Sequence, residues 1–140
     1  MEIKNYVLPM FAMVLLTFVT SLIMLYRRVQ SARQGKIDPR RYKTLSVGDA
    51  PPLVLQAERH FINLFEVPVL FYAVMLAAIA LQFANSQFYF LSWVFVTFRL
   101  IQAFIHLWSN KVYFRMTAFL CGFITVMIMW CYLVFTILVK

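Results

Sequence analysis

Four stretches of this chain run for more than twenty residues with few or no formal charges, and the polar positions crowd between them. Residues 6–26 carry no charge at all. Residues 61–84 are interrupted only by Asn63, Glu66 and a terminal Gln82, residues 88–108 carry Arg99, Gln102 and His106, and residues 112–139 carry Arg115 near their start. A helix needs roughly 20 apolar residues to cross about 30 Å of hydrocarbon. No stretch shows the period-2 alternation of an outer-membrane strand. The pattern therefore predicts an all-α integral membrane protein. It forms a single four-transmembrane-helix bundle over 1–140, with a polar segment at 27–60 and two short links.

Composition agrees. The chain is 140 residues long, 64% hydrophobic and 13% charged. A water-soluble domain carries about 25% charged residues, and one this short could not bury so much apolar surface. The first span is too long for a signal h-region and lacks a small-x-small cleavage site before Arg27, so it reads as a retained helix. Cys121 and Cys131 both fall inside the fourth span and imply no disulfide framework.

Charge sets an orientation. The 27–60 segment holds Arg27, Arg28, Arg33, Lys36, Arg40, Arg41, Lys43 and Arg59 against Asp38, Asp49 and Glu58. The link at 109–111 adds Lys111, while 85–87 has no charge. The positive-inside rule places 27–60 and 109–111 in the cytoplasm. The basic loop reads first as a topology determinant that attracts anionic head groups. It lacks the aromatic-interleaved pattern of a nucleic-acid surface, so no nucleic-acid partner is expected.

The informative residues are those that lipid should exclude. A charge at the bilayer centre costs on the order of 2.5–3.5 kcal/mol by insertion scales. Arg59, Asn63 and Glu66 are spaced four and three apart, which puts them within about 60° of one another on a helix. Pro68 follows closely and predicts a kink. Arg99, Gln102 and His106 repeat that spacing in the third span. Glu66 lies roughly 10 Å and Arg99 roughly 13 Å in from the same side, at 1.5 Å per residue. The two are therefore expected to approach each other, within one subunit or across an interface. Arg115 suits either a site or snorkelling to the head groups. His60 and His106 are too few and too far apart to argue a metal site, and each reads as a polar interface or cavity residue.

Such a cluster offers guanidinium forks for carboxylates, an amide that donates and accepts, and a cation that would favour a thiolate over a thiol. No Ser-His-Asp pattern, metal-spaced Cys/His set or phosphate loop appears.

Taken together, Arg59-x3-Asn63-x2-Glu66 before Pro68, and Arg99 followed 16 residues later by Arg115, resemble the MAPEG family, the membrane-associated proteins of eicosanoid and glutathione metabolism. The likeness is greatest to its short bacterial branch. It implies a homotrimer in the inner membrane, with glutathione as co-substrate held between subunits near the cytoplasmic side and a lipophilic small molecule entering from the bilayer. Carried over by position, Arg59, Asn63 and Glu66 would contact glutathione, with Arg99, Gln102 and His106 beside them. Arg115 would be catalytic, stabilising the thiolate. Arg28 or Arg33 would supply a first-helix arginine. The sequence departs from the family in three places. His106 stands where several members have tyrosine, Gln102 where one branch has histidine, and Phe119 where another tyrosine is common. Two functions stay open on this reading. One is a glutathione-dependent transferase or peroxidase acting on lipophilic electrophiles. The other is a non-enzymatic protein of the same fold that binds lipid or a regulatory partner. A small transporter fits less well, since four spans lack the paired broken helices of carriers.

Overall fold

A computed structural model describes residues 2–38, 50–109 and 111–139. After a short 3-10 turn at Ile3–Tyr6, helix α1 spans Val7–Arg33. Helices α2 (Pro52–Asn63) and α3 (Val67–Ala80) follow, then α4 (Ser86–Phe104), a π turn (Ile105–Ser109) and α5 (Val112–Val139). The four long apolar units are Lys4–Arg33, Pro52–Ala80, Ser86–Ser109 and Val112–Val139. Each is long and apolar enough to cross a membrane, as the hydrophobic pattern predicts.

Most of the apolar surface faces outward. On α1, Phe11, Leu15, Phe18, Leu22 and Leu25 are all exposed, at alternating steps of four and three. In water such a stripe would drive association, whereas lipid tails solvate it, and helices satisfy their own backbone groups there. The interior is thin by comparison. Phe71 stacks on Phe95 with ring centroids 4.4 Å apart, among Val74, Met75, Phe88, Val126 and Met129. The α4–α5 pair makes the most extensive helix contact and α1–α2 the next.

Two boundaries differ from the sequence expectation. The polar 27–60 segment is not one loop, because α1 continues to Arg33 and α2 already begins at Pro52. Pro51-Pro52 looks like turn punctuation, yet Pro52 starts the helix, where a missing N–H costs nothing. Of the charges assigned to that segment, Arg40, Arg41, Lys43 and Asp49 lie outside the described residues, as do Asn110 and Lys140.

The second span is also broken rather than merely kinked. Helix α2 ends at Asn63, and Glu66 adopts φ −97°, ψ −91° before α3 resumes. Pro68 has no N–H for the Leu64 carbonyl, and its ring would collide with that carbonyl in a continuous helix. Bonds of the i→i−3 kind span the break, from Phe65 N to Ile62 O (2.9 Å) and, longer, from Glu66 N to Asn63 O (3.4 Å).

At the opposite end of the bundle a polar latch joins three elements. The Tyr6 hydroxyl donates to the Asn85 carbonyl (2.9 Å) and accepts from the Asn85 N–H (2.8 Å). The Asn85 side chain caps α4 by accepting from Phe88 N (3.0 Å), and it donates to the Tyr132 hydroxyl (2.9 Å). Asn85→Ala removes the cap and the α5 tie together. It should destabilise the detergent-solubilised protein by about 1–2 kcal/mol, read as a lower melting temperature. Gln87→Ala, which loses one exposed contact to Tyr132, should leave it nearly unchanged.

Candidate functional site

Arg99 is the largest fully buried side chain among the described residues. It projects from α4 into the bundle between two aromatic faces, its guanidinium 5.5 Å from the ring centroids of both Phe95 and Phe119. Cation–π contact on two sides compensates part of the lost hydration. Hydrogen bonds supply more. The Arg99 Nη1 donates to Gln102 Oε1 (2.5 Å) and to Asn63 Oδ1 (3.3 Å). The Gln102 Nε2 donates to the same Asn63 oxygen (3.0 Å), and Asn63 Nδ2 donates to Glu66 Oε2 (3.1 Å).

Asn63 thus relays between cation and anion. The direct contact expected between Glu66 and Arg99 does not form within the chain: the arginine bonds the amide oxygen and the carboxylate bonds the amide nitrogen. The helix break accounts for this. With α2 ending at Asn63, Glu66 swings to an exposed position, and the amide is the last α2 side chain that still faces Arg99. The Glu66 carboxylate therefore lies on the outer surface of the subunit while still polarising the amide.

Beside this relay, toward the α4–α5 link, lies a cleft of about 380 Å³ lined by Arg59, Asn63, Gln102, His106, Val112, Arg115, Met116 and Phe119. Five of the site residues predicted from sequence, from three helices and the π turn, meet in this one space: Arg59, Asn63, Gln102, His106 and Arg115. Two others do not line it. Arg99 lies buried behind Gln102 and Phe119, and Glu66 lies beyond Asn63. Arg28 is elsewhere, its Nε 3.0 Å from Glu58 Oε1 in an α1–α2 ion pair. Arg33 is exposed at the end of α1.

The cleft is held open by residues that spacing alone did not single out. At the π turn the helix no longer satisfies its last carbonyls, and side chains from two other helices do so. The Gln56 amide donates to the His106 carbonyl. The Arg27 Nη2 donates to the Leu107 carbonyl (2.7 Å), and its Nη1 donates to the Leu53 carbonyl (3.0 Å). A cation at a helix C-terminus also complements the helix dipole. His60 and His106, both buried, meet with their Nδ1 atoms 3.1 Å apart. Gln56, His60 and Asn63 share the four-and-three spacing, and that face of α2, one step round from Arg59, is the buried one. Arg27 reads as a loop charge in the sequence because the helix runs past the apolar stretch. Phe119 reads as a lost tyrosine, yet its ring covers Arg99.

A membrane-spanning helical bundle with an arginine-lined polar cleft between its helices is the class of protein that this fold and site define. The chain belongs to the MAPEG family, whose sequence model matches residues 6–135. Membership makes it one of a generally glutathione-linked class of membrane proteins. Comparison with curated proteins and with solved structures found no match.

The relay has a measurable signature. Asn63→Leu deprives a buried guanidinium of an acceptor and should destabilise the protein by about 2–3 kcal/mol. Arg99→Met in the same background should restore part of that loss, because removing both partners is cheaper than stranding one. Purely additive melting-temperature losses in the double variant would mean that Asn63 and Arg99 do not act as a pair.

Proposed function

We propose that the cleft binds glutathione and that the protein is a membrane glutathione transferase or peroxidase acting on lipophilic electrophiles. The observation that carries this reading is the meeting of Arg59, Asn63, Gln102, His106 and Arg115 around one cleft. Glutathione presents two carboxylates, an ammonium, two amides and a thiol. Arginine forks suit the carboxylates, and Asn63 and Gln102 offer both donors and acceptors for the amides. Arg115, half-buried on α5, would hold the sulfur as thiolate by favouring its charge, with the thiol proton released to water.

The thiolate then attacks. At an electrophilic carbon a C–S bond forms and the leaving group departs with its electron pair. At a hydroperoxide an S–O bond forms as the O–O bond breaks, the alkoxide leaves and takes a proton from water to become the alcohol, and a second glutathione converts the sulfenic acid to disulfide and water. The lipophilic partner would come from the bilayer along the exposed apolar surfaces of α4 and α5. On this reading the basic end faces the cytoplasm of a bacterial inner membrane. A homotrimer would complete the site with a neighbouring subunit, in keeping with family membership.

One observation favours a second reading, a non-enzymatic binding protein. Phe119 and Met116, not hydroxyl side chains, flank Arg115 in the cleft, so the sulfur would lack a neutral donor on that side. Two measurements separate the readings. Adding glutathione to purified protein should produce the ultraviolet band of a thiolate and raise the melting temperature. Arg115→Ala should abolish the band and weaken binding by about 10–100-fold, the effect of one charge-assisted contact. Stabilisation by anionic lipid without any response to glutathione would overturn the enzymatic reading.

A further inference from the structure

The two histidines form a contact that the proposed thiolate chemistry does not use. His60 on α2 is fully buried, and its Nδ1 lies 3.1 Å from the Nδ1 of His106 on the π turn. The rings meet edge to face, with centroids 4.9 Å apart. His106 in turn lines the cleft, whereas His60 does not.

A single proton can occupy the bond between two Nδ1 atoms, so one ring donates and the other accepts. Both rings are neutral on Coulomb grounds. Arg59 and Arg115 already line the cleft and Arg99 is buried behind it, while the two carboxylates of the α2–α3 span are engaged elsewhere, Glu58 with Arg28 and Glu66 with Asn63. Two neutral arrangements remain. If His106 donated, His60 would carry its proton on Nε2. That atom is buried and has no partner, so this arrangement strands an N–H in an apolar setting. If His60 donates, its Nε2 is only a bare lone pair, a lesser penalty than an orphaned N–H.

We propose that His60 is a positioning residue that donates from Nδ1 to His106 and thereby fixes His106 as the Nε2–H tautomer, presenting a neutral hydrogen-bond donor to an anionic or carbonyl oxygen, or to a thiolate, bound in the cleft. Gln56 supports the arrangement by holding the His106 carbonyl from the same face of α2. The cleft then recovers at position 106 the kind of donor that Phe119 cannot provide. The role assigned to a bound thiolate rests on the glutathione reading, whereas the tautomer assignment does not.

The chain contains two histidines, so histidine labelled with nitrogen-15 and carbon-13, in protein purified without a polyhistidine tag, reports only this pair. The expected spectrum has one Nδ1–H ring and one Nε2–H ring. In His60→Asn the Nε2–H ring alone should persist, because the asparagine amide can reach the place of Nδ1. In His60→Leu the single remaining ring should lose its fixed tautomer. Glutathione affinity should stay close to wild type in His60→Asn and fall about tenfold in His60→Leu, the loss of one aligned hydrogen bond. An Nδ1–H ring for His106, an imidazolium in the wild-type pair, or equal affinity losses in both variants would overturn the proposal. If glutathione fails to bind the wild-type protein, the glutathione reading falls, and the tautomer spectrum still decides the role of His60.

Discussion

A guanidinium with no exposure to solvent, inside a bundle bathed in lipid, is the constraint around which this protein is arranged. Arg99 cannot shed its proton and cannot reach water, so the bundle must supply compensation at its depth. It does so with two aromatic faces, a glutamine three residues further along the same helix, and an asparagine from the neighbouring span. The break before Pro68 belongs to the same solution. It ends α2 at the residue whose amide is needed and sends Glu66 outward, so that Asn63 stands between the carboxylate and Arg99. A continuous helix would drive the acid and base toward direct contact in a low dielectric, where desolvation offsets much of the Coulomb gain.

The cleft follows from that arrangement. Arg99 bonds Gln102 and Asn63 through Nη1 alone, with Nε and Nη2 buried and without hydrogen-bond partners between the two rings, and the polar side chains beside it line an opening. Gln102 belongs to both, bonding Arg99 and Asn63 while facing the cleft. The π turn widens the backbone where His106 projects, and Arg27 and Gln56 hold its carbonyls from two other helices. Structure at the opposite end is of another kind. Tyr6, Asn85 and Tyr132 close the bundle with neutral hydrogen bonds, and Lys4 beside them is paired with Glu2.

Much of this was legible in the residues. A fourfold run of apolar segments fixes helices that cross a bilayer, and charges at steps of three and four within them mark inward faces, since lipid tolerates no other placement. That logic brought Arg59, Asn63, Gln102, His106 and Arg115 to one space. It failed at the contacts that depend on where a helix stops. The spacing of Arg59, Asn63 and Glu66 assumes an unbroken turn, so it placed Glu66 against Arg99. Arg27 and Arg28 carry charges that look like loop residues, yet helix α1 outlasts its apolar stretch and turns both inward, to backbone carbonyls and to Glu58. The pairing of His60 with His106 is separated by 46 residues in sequence, and only the crossing of α2 with the π turn reveals it.

The whole arrangement requires one face of the α4–α5 pair to be a polar opening at a depth where the adjacent face meets lipid. Phe119, which lines the cleft, and Leu120, which is exposed on the apolar side, stand one residue apart on α5 at nearly the same depth. In protein with Cys121 and Cys131 replaced by serine, Phe119→Cys and Leu120→Cys can be titrated in nanodiscs with a charged, water-soluble thiol reagent. Modification should be rapid at position 119 and very slow at position 120. Equal rates, or faster reaction at position 120, would contradict this requirement.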